Sequence, residues 1–97
     1  MNSGNVPAEL LELRKKIDQI DKKLVELLAS RFALTHKVGL LKANRGLDAF
    51  DAGRESQKFA ELRTLCVDQD LNPDLINELF ASIMEEVVRN HLDLREK

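Results

Sequence analysis

Residues 10–41 read LLELRKKIDQIDKKLVELLASRFALTHKVGLL. An alternating three-then-four spacing picks out Leu10, Leu13, Ile17, Ile20, Leu24, Leu27, Arg31, Leu34, Val38 and Leu41. Nine of these ten positions are aliphatic, and the seventh is an arginine. A sustained heptad stripe specifies one long helix packed along its length on other helices. Such a seam rejects a guanidinium unless something anionic meets it, which marks Arg31 as a candidate functional residue.

Outward from this stripe, Ala8 opens the helix and Asn44, Arg45 and Gly46 stop it, with Gly39 the one weak interior residue. The expected helix has about 36 residues and a length of roughly 54 Å. A compact chain of this size has a radius of gyration of about 12 Å, so the helix overshoots its own globule and its seam calls for a partner. The expectation is an obligate homodimer with antiparallel long helices. Residues 1–7 read as a loose N-terminal tail, and 8–95 as a single domain.

Two further helices follow. The second begins after a loop over 44–50, with Asp48 or Asp51 as N-cap, and ends near Asp68. Its apolar stripe is Phe59, Leu62 and Cys66, and one step back along the same line lies Glu55. The third has Asn72 as N-cap, Pro73 in the first position and Asp74 in the first turn. Its stripe is Ile76, Phe80, Ile83 and Val87, and four residues on is His91. The fold class is therefore all-α, three helices per chain, and each core line carries one polar interruption: Arg31, Glu55 and His91.

Composition narrows the function. The chain has 97 residues, 43% hydrophobic but only 4% aromatic, which suits a helical core of Leu, Ile and Val. Fifteen basic and 17 acidic residues give a net charge of −2, so no global positive field draws it to nucleic acid or anionic lipid. The lone Cys66, between Leu65 and Val67, reads as buried filler in a cytoplasmic protein. No apolar run approaches the roughly 20 residues of a membrane span. No metal-ligand spacing, phosphate-cradling glycine loop or nucleophile motif is present, and no metal or cofactor is expected.

Lys42 lies 11 residues after Arg31, within about 20° of the same helix face and roughly 16 Å along the axis. Arg14 lies some 25 Å before Arg31, too far to share a small-molecule site within one straight helix. In an antiparallel dimer the Arg14 end of one chain lies beside the middle of the other, which makes two composite sites natural. Arg14, Arg31, Lys42 and Arg54 with Glu55 would form a cationic pocket for a small dianion, with one carboxylate to accept from a hydroxyl. Singly, each also has a plainer reading: Arg14, Arg54 and Glu55 as surface charges, Arg31 as a register-setting polar residue, Lys42 as a helix-dipole partner, His91 as a partly exposed histidine.

The run Leu13-Arg14-Lys15-Lys16-Ile17-Asp18-Gln19-Ile20-Asp21, then Leu27-Leu28-Ala29-Ser30-Arg31, Val38-Gly39 to Lys42, and Asp51-Ala52-Gly53-Arg54-Glu55 resembles the all-helical AroQ class of chorismate mutases. The resemblance covers about residues 8–92. It implies an intertwined homodimer that converts chorismate to prephenate by a Claisen rearrangement on the route to phenylalanine and tyrosine, without a cofactor. By motif, Arg31 and the partner chain's Arg14 would grip the two carboxylates of chorismate, and Lys42 would donate to the ether oxygen. Glu55 would accept from the ring hydroxyl with help from the backbone near Asp51, and Arg54 would help hold a carboxylate.

Two positions depart from the common pattern. Val87 stands where many members have serine, and can close the pocket but not hydrogen-bond. His91 stands where the family has glutamine or glutamate, and is expected to replace it as second donor to the ether oxygen, since histidine keeps an N–H in either charge state. Acting as a cation, it would lose rate as pH rises through its titration. The alternative leaves His91 turned to solvent and Lys42 working alone. Competing functions are an isochorismate pyruvate lyase of the same fold and a non-catalytic regulatory dimer domain fused to or associated with another shikimate-pathway enzyme. A nucleic-acid binder is disfavoured by charge.

Overall fold

A computed structural model of the chain describes residues 6–96. The described residues form three α-helices and no strand: α1 (Ala8–Asn44), α2 (Ala52–Gln69) and α3 (Pro73–Arg95). Of the expected loose tail over 1–7, residues 1–5 lie outside the described residues. The carbonyl of Pro7 accepts from the amides of Leu10 and Leu11 at 3.0 and 3.2 Å, so the helix begins where the sequence places it. The chain divides after Ala33 into two compact units.

In the first unit, α1 presents its heptad line to solvent. Leu13, Ile17, Ile20, Leu24 and Leu27 are each more than half exposed. Single exposed leucines are ordinary, but five large aliphatics in helical register form a continuous apolar stripe.

The second unit, from Leu34 onward, is built on α2 packed against α3. Its buried apolar residues are Leu62 and Cys66 from α2 and Met84 from α3, the first two on the stripe read from the sequence. Cys66 is a free thiol in this core. The last turns of α1 contribute Gly39, a buried residue.

Local chemistry sets the helix ends. Gly46, at φ +66°, ends α1: Leu47 N–H donates back to the Lys42 carbonyl at 2.8 Å and Gly46 N–H to Ala43 at 3.4 Å, the paired closure a left-handed residue permits. Asp51, rather than Asp48, caps α2, its Oδ1 accepting from Arg54 N–H at 3.0 Å. The same left-handed closure recurs at Asp70, φ 55°, where Leu71 N–H reaches the Cys66 carbonyl at 2.9 Å. Asn72 caps α3 through Oδ1 to Asp74 N–H at 3.0 Å, with Pro73 just inside the helix. Among the described residues no helix is long and apolar enough to cross a membrane.

Candidate functional site

Lys42 lies in the last turn of α1 and is half-buried. Its Nζ donates to the carbonyl of Ala49 at 3.4 Å, in the loop that leads into α2. Two residues on, the Asp51 cap fixes the start of α2, so Arg54 and Glu55 are set in its first turn. Lys42, Asp51, Arg54 and Glu55 thereby belong to one corner of the second unit, where α1 ends and α2 begins. Arg54 is exposed and Glu55 is half-buried.

Glu55 also lines a groove of about 640 Å³ between α2 and α3, beside Phe50, Phe59, Val88 and Arg89. A carboxylate on an otherwise largely apolar wall holds its acceptor oxygens against less competition from water than at an open surface. Phe50 and Arg89 are wall residues that the sequence reading did not single out. Arg89 sits two residues before His91, on a different face of α3, and only the pairing of α2 with α3 reveals it.

His91 is only 3% exposed. Its Nε2 lies 2.8 Å from the carbonyl oxygen of Thr35 on α1, 56 residues away in sequence. The ring rests on Gly39: a Cβ built there would lie 2.5 Å from Cδ2 and 3.0 Å from Nε2 of His91. The alternative in which His91 points to solvent is therefore corrected, because the glycine one turn after Thr35 leaves room for the imidazole between α1 and α3. Its Nδ1 is buried and has no hydrogen-bond partner among the described residues. The signal for this contact was in the sequence as an isolated glycine inside a strong helix, which usually has a packing reason. Val87, one turn earlier on α3, is half-buried.

Arg14 and Arg31 belong to the first unit. Arg14 is exposed, and Arg31 is half-buried on the line that otherwise carries only aliphatic side chains. The structure thus gathers Lys42, Asp51, Arg54, Glu55, Val87 and His91 into the second unit, and carries the two arginines on the other.

Residues 13–92 match the family described as chorismate mutase type II. The chain is 32% identical over 77 residues to a chorismate mutase of Methanocaldococcus jannaschii, an alignment covering 79% of this chain and 78% of that protein. It is 38% identical over 79 residues to the T-protein of Enterobacter agglomerans, covering 81% of this chain and 21% of the relative. It is equally similar, 38% over 79 residues, to the bifunctional chorismate mutase/prephenate dehydratase of Escherichia coli K12, of which it spans 20%. The chain thus spans about a fifth of the length of these two larger relatives.

Proposed function

We propose, on the premise that the chain belongs to the chorismate mutase type II family and so to the isomerases, that it converts chorismate to prephenate as a homodimer. The observation that carries the reading is the corner in which Lys42, through Ala49, is brought to the Asp51-capped start of α2 with Arg54 and Glu55. The rearrangement is intramolecular: the ether carbon–oxygen bond breaks as a carbon–carbon bond forms, and no proton or nucleophile is needed. What a protein contributes is a held conformer and a cation where negative charge gathers on the ether oxygen.

In this proposal Lys42 donates to that oxygen and His91 assists it. Glu55 accepts from the ring hydroxyl, with the backbone near Asp51, while Arg54 steadies a carboxylate and Val87 closes the pocket. Arg31 of one chain and the partner chain's Arg14 hold the two carboxylates, so residues 8–95 act as one functional domain only in the dimer. Support for the dimer is the exposed stripe of Leu13, Ile17, Ile20, Leu24 and Leu27, which two copies would cover. The route served in this proposal is phenylalanine and tyrosine biosynthesis in the cytoplasm, a compartment with which the free, buried Cys66 is consistent.

The test is to incubate purified protein with chorismate and, separately, with isochorismate, and to identify products. Loss of chorismate with formation of prephenate is expected. Salicylate and pyruvate from isochorismate, with chorismate untouched, would establish a lyase instead. A folded dimer that consumes neither at high protein concentration would establish a non-catalytic domain.

A further inference from the structure

We propose that His91 engages an anionic ligand only as an imidazolium, through Nδ1, so that binding of the dianion carries a proton onto the protein. The proposal rests on the reading of this site as one for a dicarboxylate.

The tautomer follows from the Thr35 contact. A carbonyl oxygen has no proton to give, so at 2.8 Å the hydrogen lies on Nε2 of His91 and is spent on α1. A neutral ring then offers only the bare lone pair of Nδ1, which repels an anionic or ether oxygen. The N–H expected of a second donor is not available until the ring takes another proton.

Nδ1 is also the polar atom whose partner is missing. It is buried, in a residue 3% exposed, with no hydrogen bond among the described residues. The Thr35 tie fixes the ring orientation, because a 180° flip would put Cε1 where Nε2 now stands and lose that hydrogen bond. Nδ1 is closed from water, and the negative charge of a ligand beside it favours the second proton.

The half-buried charged side chains of α1 and α2 are Arg31 and Lys42 on α1 and Glu55 and Lys58 on α2. Lys42 donates to Ala49 and Lys58 lies 3.9 Å from Glu61. On α3 the charged residue one turn away, Arg95, is exposed. Among these Glu55 is the anion that would welcome an imidazolium, and a dianionic ligand adds to it.

The experiment is titration calorimetry of the intact chain with prephenate at pH 7.5 in Hepes and in Tris. These buffers differ in ionisation enthalpy, so proton uptake appears as a difference between them. Uptake of up to one proton per site is expected, with affinity weakening by at most tenfold per unit as pH rises toward 8.5. His91→Gln, which has no titrating ring, is expected to show neither. Ring ¹⁵N resonances of the wild-type protein supply a readout independent of any variant: prephenate should add a proton to Nδ1.

A buffer-independent enthalpy, or a ring that stays neutral with prephenate bound, overturns the proposal, as does equal uptake in His91→Gln. Chorismate turnover without proton uptake sinks this proposal and leaves the mutase reading standing. Absence of both turnover and prephenate binding sinks the two together.

Discussion

The imidazole of His91 lies directly over the bare backbone of Gly39: a methyl group there would stand 2.5 Å from Cδ2 of the ring and 2.8 Å from Cδ1 of Leu94. Two opposing effects meet at this position. In an unobstructed helix interior, replacing glycine by alanine gains about 1 kcal/mol of propensity. Here the new carbon displaces a buried ring tied to Thr35, and overpacking of that kind costs typically about 1–3 kcal/mol. Gly39→Ala is therefore expected to lower the urea midpoint at fixed protein concentration. A raised midpoint would show that the ring moves aside freely.

The two N-caps allow stability and site geometry to be separated. Asp51 Oδ1 accepts from Arg54 N–H and Asn72 Oδ1 from Asp74 N–H, both at 3.0 Å. Loss of either cap should cost about 1 kcal/mol. Asp51→Ala should also raise KM for chorismate several-fold, because it loosens the turn that carries Arg54 and Glu55. Asn72→Ala, at the far end of α2, should leave KM and kcat unchanged while unfolding at a similarly lowered midpoint. Equal kinetics in both variants would remove Asp51 from the site.

Lys42 holds Ala49 through a long contact of 3.4 Å at a half-buried position, so its removal should cost the fold little. A cation aimed at developing charge is worth much more to the reaction: loss of one such donor typically costs about 10²–10³ in kcat. Lys42→Ala should fall in that range with an unaltered circular dichroism spectrum. Lys42→Arg should recover only part of it, since the guanidinium fork directs its donors differently from an ammonium. A kcat within threefold of wild type in Lys42→Ala would show that another group meets the ether oxygen.

These experiments divide along the line between what local sequence encodes and what it does not. The heptad from Leu10 to Leu41 gave α1 to within a residue of its end, and Asn72-Pro73-Asp74 marked the start of α3, because period and capping are properties of neighbouring residues. Choosing Asp51 over Asp48 needed the backbone, since both offer the same carboxylate. The seat of His91 on Gly39 and its bond to Thr35 join residues more than 50 apart, and periodicity assigns each to a face without saying which faces meet. The groove beside Glu55 was illegible for the same reason: Arg89 joins it only through the pairing of α2 with α3.

The proposed composite site makes a quantitative demand. If Arg14 serves the partner chain's pocket while Lys42 serves its own, Arg14→Ala and Lys42→Ala each disable both sites of a homodimer. Unfolded together and refolded in equal amounts, half of the dimers formed at random are mixed. In a mixed dimer the pocket of the Arg14→Ala chain has its own Lys42 and receives Arg14 from the other chain, whereas the second pocket lacks both. Activity should thus return to about a quarter of the wild-type value per chain, where the separate variants are nearly inactive. The exposed line through Ile17 and Leu24 is the surface that would bring the chains together. Ile17→Asp with Leu24→Asp, present in both chains, should abolish the recovery and shift the sedimenting species to monomer. Recovery no greater than the sum of the separate variants would place Arg14 and Lys42 in the same chain's site, or Arg14 in none.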